Sequence, residues 1–413
     1  MTDGSTKSTL LHSGRIVTPG GVLDDGWVTI DGSRITGVGG RSDTPRSPAH
    51  AVDLGGRWLL PGFVDLHMHG GGGNDVTASP DAMAAAVAFH RRHGTTRTLV
   101  SLVAAPLADL ERQLGWIADL ATADKQVVGA HLEGPFLAEA RCGAQNPQYL
   151  RHPEPGEFAR LAAAARGRLR SVTLAPELPG ALDLVLDVLA AGAVAAIGHT
   201  DATYAQAQAA IARGATLATH LFNGMRPMHH REPGVVGAAL AADLACEVIN
   251  DGIHVHPAIT TMVARSPGRL VLVTDAIDAA GMGDGDVQLG GQPVVVRDGQ
   301  ARLADSGSLA GSTLTMDAAV RRAVLESGLS IGAASAAASA NPARVLGQGA
   351  KFGAIALGLD ADLVVLDDRL AVEEVLLAGQ WQDRPERNPV GTDKLADWSR
   401  PLTERALPSR SDM

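Results

Sequence analysis

Short apolar runs of β-prone residues recur along most of this chain, separated by Ala-rich stretches with helical periodicity. Eight runs stand out: WLLPGFVDL (58–66), TTRTLVSLV (95–103), QVVGAHLE (126–133), SVTLAPE (171–177), AVAAIGH (193–199), ATLATH (215–220), ACEVIND (245–251) and LVLVTDA (270–276). The segments between them predict helices at Pro80–His93, Pro106–Ala121, Glu157–Ala165, Ala181–Ala191, Ala202–Arg213 and Pro257–Arg265. Thr200 and Asp201 offer an N-cap for the fifth. Such alternation over about 250 residues predicts an α/β fold of the (β/α)8, TIM-like barrel type. A doubly wound parallel sheet is the competing architecture, but it rarely puts ligand-type residues on six separate strands.

The two ends of the chain follow another pattern. Residues 11–60 read as short strands (GRIVTP, WVTIDGSRITGVG, GGRWLLPGF) joined by Gly and Asp-Gly turns. Residues 284–303, which include DVQLGGQPVVVRDGQARL, break the barrel rhythm as two or three strands inserted after the eighth run. Helices resume at Thr315–Ser327 and Ile331–Leu346, and β pattern returns in GAIALGLDADLVVLDD and VEEVLLAGQ. The expected division is a small β-sandwich domain from residues 1–60 plus 350–400 and a barrel over 61–349. A flexible, polar tail is expected over 401–413.

Composition narrows the function classes. At 413 residues the chain can bury a large core, and with only 3% aromatics that core must rely on small and branched aliphatic side chains. A net charge of −10 argues against nucleic-acid and membrane-surface binding, although a few local arginines can still hold a small anion. Two cysteines, Cys142 and Cys246, form no CxxC pair, which fits a reducing cytoplasm. The N-terminus MTDGSTKSTLLHSG lacks the apolar centre of a signal peptide, and no run is long enough to span a membrane.

Six residues able to bind metal or carry hydrolytic chemistry close these runs: His67 and His69, Glu133, His199, His220 and Asp275. Barrel enzymes place their chemistry at the carboxyl ends of the strands. Period-2 alternation puts His67 and His69 on one side of an extended segment, ahead of the open loop GGGGND. Glu133 is costly at the edge of a core unless a cation pairs with it, and an arginine would serve that purpose as well as a metal. With His199 and His220 it makes a plausible N,N,O metal site of the kind that leaves one coordination position open. His131 reads as a core residue or one that orients a ligand. His12, His50, His90, His93 and His152 read as ordinary histidines outside any site. Asp275 can carry a proton for hydrolysis, with a helix N-cap as its rival role. His254, in NDGIHVH, can donate to a substrate carbonyl, and Arg231, in MHHREPG, can bind a phosphate through its planar fork.

Taken in order, PGFVDLHMHG, HLEGPF with the downstream GAQNP, IGHTDAT, THLFNGM followed by REPG, DGIH, VTDA and SLAGSTLTMD resemble the amidohydrolase superfamily. Within it they are similar to the branch that hydrolyses N-acetylglucosamine 6-phosphate to glucosamine 6-phosphate and acetate. The motifs span residues 61–317. The resemblance implies a distorted barrel with a small β-sandwich built from both chain ends, assembled as a homodimer. It implies a divalent metal on Glu133, His199 and His220, zinc first and iron as the alternative, and a possible second one on His67 and His69. It makes Asp275 the catalytic acid/base and His254 the residue near the substrate carbonyl. Further substrate contacts are implied at Asn223, Gly224, Arg231 and the segment Leu309, Ala310, Gly311, with Ala144 in a substrate loop and Cys142 beside it. Many superfamily members bridge two metals with a carboxylated lysine on the fourth strand, whereas the bridge here is Glu133 on the third. The rival enzymes are an N-acyl-amino-acid deacylase or a cyclic amidase, which have no phosphate-based reason to carry Arg231. A non-catalytic scaffold would lack ligands, and none is missing.

Overall fold

The computed structural model describes residues 8–43, 45, 50–154, 156–266 and 268–382. The tail expected over 401–413 lies outside them. Eight parallel strands run in sequence order around a barrel: β1 (Phe63–Asp65), β2 (Thr95–Leu102), β3 (Val127–Glu133), β4 (Leu169–Leu174), β5 (Val194–Ile197), β6 (Leu217–Ala218), β7 (Ala245–Ile249) and β8 (Leu270–Val273). The ring closes beyond the strands, where Met68 bridges Ala276 and the Asp275 amide donates to the His67 carbonyl at 2.8 Å. Every position of β2, β7 and β8 is buried. Burial on both faces explains why these runs show no alternation of polar and apolar residues.

Helices α1 (Pro80–Arg92), α2 (Leu107–Ala123), α3 (Glu157–Ala164), α4 (Ala181–Ala190), α5 (Tyr204–Ala212), α6 (Gly234–Ala241) and α7 (Pro257–Ala264) connect the strands, and α8 (Met316–Leu325) follows later. Sequence reading predicted all but α6. That segment, GVVGAALA, has six buried residues and so lacks the polar face that marks a helix by periodicity. The N-cap of α5 also differs from expectation. Thr203 caps it, in a reciprocal box with Gln206. Thr200 instead donates to Glu177, and Asp201 pairs with Arg141 and Arg226. The stretch predicted as one helix over Ile331–Leu346 forms two, α9 (Ile331–Ala338) and α10 (Ala340–Val345), broken at Ser339.

The chain ends share one eight-stranded, mostly antiparallel sheet with its own core, in which Leu11, Val28 and Leu59 meet Leu363 and Leu376. The run WLLPGFVDL divides between the two bodies. Trp58–Pro61 pairs with Leu363–Leu366 in the small sheet, while β1 begins the barrel. Gly62 makes the crossing, because a Cβ there would stand 2.2 Å from the Thr96 hydroxyl. Three strands, Gly285–Leu289, Gln292–Arg297 and Gln300–Leu303, form the expected insertion.

Arg97, on β2, ties the barrel to the small sheet. Its guanidinium donates to Asp362 at 2.6 Å and to Asp360 at 3.0 Å. Removing one partner of a buried pair leaves the other charge uncompensated, so Arg97→Ala should lower unfolding stability by about 3 kcal/mol near neutral pH. Burial already raises the Asp362 carboxyl, and Arg97 restrains that rise. A carboxyl raised in the fold loses stability as pH climbs through its folded pKa. Denaturant melts of R97A should therefore show a smaller deficit at pH 5 than at pH 8.

Candidate active site

Four barrel strands each deliver a site residue two positions beyond the strand end. Asp65 is followed by His67, Ile197 by His199, Ala218 by His220 and Val273 by Asp275. Glu133 is itself the last residue of β3. His199, His220 and Asp275 have φ of 45°, 28° and 49°, a left-handed backbone that costs a non-glycine residue about 1 kcal/mol or more. The turn aims each side chain across the barrel mouth instead of along the strand. Gly224 makes room for one of them, since a Cβ there would stand 2.9 Å from His199 Nδ1.

Four imidazoles converge on one carboxylate. Glu133 Oε1 lies 3.1 Å from His199 Nε2, 3.0 Å from His220 Nε2 and 3.3 Å from His67 Nε2. Its Oε2 lies 3.2 Å from His69 Nε2. The donors form two groups, His67–His69–Glu133 and Glu133–His199–His220, each with its ligand atoms within 4.8 Å of one another. Asp275 Oδ1 sits 3.4 Å from His67 Nε2 and 3.3 Å from His69 Nε2.

The outer ring nitrogens fix the tautomers. His69 Nδ1 lies 3.2 Å from the Ser101 carbonyl, His199 Nδ1 2.9 Å from the Arg141 carbonyl and His67 Nδ1 3.3 Å from Glu247. Those oxygens accept, so each of these three Nδ1 atoms carries a hydrogen, which leaves Nε2 as the inward atom that holds a proton or, once deprotonated, ligates a metal. His67 and His69 face each other Nε2 to Nε2 at 3.0 Å, and His199 and His220 at 3.1 Å. Ring nitrogens that face each other at that distance need a proton or a metal ion between them. The protonation of the cluster makes the same point. Burial opposes charge on His67, yet Glu133 and Asp275 hold its pKa well above that of a free imidazole. Burial likewise opposes charge on His69, but bonds to Asp275 and Glu133 raise it to about 9. Burial would raise the Asp275 carboxyl, but His67 and His69 pull it down to about 2. A buried N/O set with this demand for cation fits a divalent metal at either group.

A cavity of about 420 Å³ opens over the cluster. His69, Glu133, His199, His220 and Asp275 line it, and so do the expected substrate contacts Ala144, Asn223, Gly224, His254, Leu309 and Gly311. Ala310 is buried in the hydrophobic cluster beneath the insertion and does not line the cavity. Arg231 does not line its own chain's cavity either; it stands exposed, with Nη1 2.8 Å from His230 Nε2. His131 packs 4.6 Å from the His67 ring and spends both ring nitrogens on the Ser101 and Thr173 hydroxyls, so of the two expected roles it takes the core one and bonds to no ligand. Cys142 is partly buried and does not line the cavity.

Sequence reading missed the braces behind these groups. Gln145 donates to Glu133 Oε2 at 2.8 Å, and Glu247 accepts from the His220 amide at 3.2 Å. Asp251 holds His254 Nδ1 at 2.7 Å. Burial opposes charge on His254, but Asp251 raises its pKa and keeps the ring a donor. A signal for Asp251 was present: it occupies the same position, two beyond the end of β7, that supplies ligands elsewhere.

A parallel barrel whose strand ends gather four histidines and two carboxylates beneath an open cavity defines a metal-dependent barrel hydrolase. The Amidohydrolase family matches residues 58–394. Among solved structures, an aspartate-to-alanine variant of N-acetyl-D-glucosamine-6-phosphate deacetylase from Mycobacterium smegmatis, in complex with N-acetyl-D-glucosamine-6-phosphate, superposes with a TM-score of 0.87. It is 44% identical, covering 91% of this chain and 99% of that one. N-acetylgalactosamine-6-phosphate deacetylase of Escherichia coli O157:H7 is 37% identical over 377 residues, 90% of this chain and 98% of the relative. N-acetylglucosamine-6-phosphate deacetylase of Danio rerio is 38% identical over 348 residues, 80% of this chain and 86% of the relative. The chain belongs to the amidohydrolase family.

If both groups bind metal, elemental analysis after dialysis against excess zinc should find two ions per chain. His67→Asn with His69→Asn should reduce that to one, and Glu133→Gln should lower occupancy of both. A wild-type chain that never holds more than one ion would remove His67 and His69 as a second site.

Proposed function

We propose that this hydrolase removes the acetyl group from N-acetyl-D-glucosamine 6-phosphate, releasing acetate and D-glucosamine 6-phosphate in amino-sugar metabolism. The observation that carries the reading is the placement of Asp275. Its ionised oxygen faces two imidazoles of the donor cluster at the floor of a cavity sized for a small sugar phosphate. The names of the relatives point to the same substrate class. Because one relative is named for the galactosamine epimer, that sugar phosphate is the second reading.

Glu133, His199 and His220 would hold one divalent metal, zinc first and iron second, and His67, His69 and Glu133 another. When bound, such an ion supplies Lewis-acid chemistry, polarising an amide carbonyl and acidifying water. Asp275 takes the proton of the attacking water and returns it to the departing amine nitrogen, so the leaving group departs neutral. His254, kept charged by Asp251, donates to the carbonyl oxygen as negative charge develops there. Asn223, Gly224, Leu309 and Gly311 bound the sugar and fix its orientation. The homodimer belongs to this reading. Arg231 is exposed, as is Met228, and in such a dimer Arg231 would enter the second copy's cavity as a phosphate contact. Cytoplasmic location fits the two free cysteines, and no helix among the described residues is long and apolar enough to cross a membrane.

An acetate-release assay tests the proposal. The glucosamine 6-phosphate substrate should be hydrolysed faster than its epimer and much faster than the unphosphorylated sugar. Chelation should abolish turnover and added zinc restore it. Faster release from an N-acyl amino acid would sink the substrate assignment. Asp275→Asn should cut kcat at least about 100-fold while keeping its metal, as loss of a proton carrier demands. Near-wild-type turnover would take Asp275 out of the mechanism.

A further inference from the structure

We propose that the amino end of the barrel carries a second ligand site, which takes a small phosphate dianion, free or as an ester. It is separate from the donor cluster and does not rest on the substrate reading above. A cavity of about 270 Å³ opens where the starts of β2, β3 and β4 meet the segment leading from α10 into the small sheet. Five basic side chains line it: Arg97, Lys125, Arg168, Arg170 and Lys351. Among the described residues that line it, Asp360 is the one carboxylate. Asp360 is already spent, on Arg97 at 3.0 Å and Arg34 at 2.9 Å, and Arg97 is matched again by Asp362 at 2.6 Å. Those four groups balance. Lys125, Arg168, Arg170 and Lys351 are left with no carboxylate partner among the described residues.

That surplus is local. The chain as a whole carries a net charge of −10, and arginines nearby in sequence do find partners. Arg91 pairs with Asp124, the neighbour of Lys125, and Arg166 pairs with Asp119 at 2.8 Å. Like charges gathered around one recess repel unless an anion sits among them. Burial lowers the pKa of the Arg170 guanidinium, and the charge of Arg168 lowers it further. The recess thus opposes a charge that arginine keeps at any physiological pH. Its frame is fixed. Arg168 and Arg170 flank Leu169, which is buried on β4, and the Arg168 carbonyl accepts from the Ala130 amide at 2.8 Å. The Lys351 carbonyl accepts from the Asp360 amide at 2.7 Å, and Arg97 lies over the Phe352 ring at 5.0 Å. Arg170 Nε donates to the Val128 carbonyl at 3.3 Å, and the Arg168 side chain bonds to no described residue. Both planar forks are therefore left for phosphate oxygens. The volume falls just under the range of about 300–1,000 Å³ for small-molecule sites, which suits a phosphate with at most a short organic group. At about 3.3 Å per residue, β3 carries Glu133 about 20 Å from Val127. An anion here would join the barrel to the segment that enters the small sheet, so its effect is on stability rather than on the chemistry.

The test is a thermal melt of the metal-loaded, full-length enzyme in inorganic phosphate and in glycerol 3-phosphate, each against sodium chloride of equal ionic strength. Wild type should melt about 2 °C or more higher in a saturating phosphate anion than in chloride. Arg168→Gln with Arg170→Gln should lose at least about half of that gain, and so should Lys125→Gln with Lys351→Gln. Lys125 and Lys351 are exposed, so the second pair leaves the packing intact even if the first does not. Turnover in phosphate-free buffer should stay within about twofold of wild type in both variants. Any phosphate held over the donor cluster is common to all three proteins and cancels in the comparison. A larger gain with glycerol 3-phosphate supports the site with an ester as its ligand, and a larger gain with inorganic phosphate supports it with the free ion. No gain in wild type, a gain that chloride matches, or a gain kept whole in both double variants overturns the proposal.

Discussion

One carboxylate organises the centre of this molecule. Glu133 lies within 3.3 Å of four imidazole nitrogens, and all five groups are buried. Taking that much polarity out of water is costly unless charge is matched inside. The outer ring nitrogens of His67, His69 and His199 are therefore committed to Glu247 and to two carbonyls, which leaves their inner nitrogens aimed at a shared cation position. The left-handed turns at His199, His220 and Asp275 follow from the same demand, because a straight strand end would carry those side chains past the centre.

The rest of the architecture holds this point in place. Parallel strands buried on both faces form a rigid ring that brings residues distant in sequence within bonding distance. The small sheet is clamped to that ring through Arg97 and through the continuous run from Trp58 to Asp65. The insertion lies over the mouth, with its own apolar cluster and Arg302 toward the cavity. The barrel supplies the reacting groups, and the added hairpin walls part of the cavity above them. Loop additions at the carboxyl face are how such barrels vary their substrates.

Much of this was legible in the chain. The barrel showed because its strands are short apolar runs and its helices mostly amphipathic. The cluster showed because its four histidines and two carboxylates each close or directly follow such a run. Helix α6 escaped because burial on all sides erased its periodicity. Glu247 escaped because it sits inside an apolar strand, where a carboxylate gives no local sign of the imidazole it faces. Arg231 was legible as a candidate, but it stands exposed and does not line the cavity of its own chain. Pairings across the barrel and between copies leave little trace in local pattern.

The shared role of Glu133 is the claim on which the account stands, and anomalous diffraction from crystals grown in excess zinc tests it directly. The account predicts one peak among Glu133, His199 and His220 and a second among Glu133, His67 and His69. Zinc absent from both positions, or held only by residues that exclude Glu133, would contradict it.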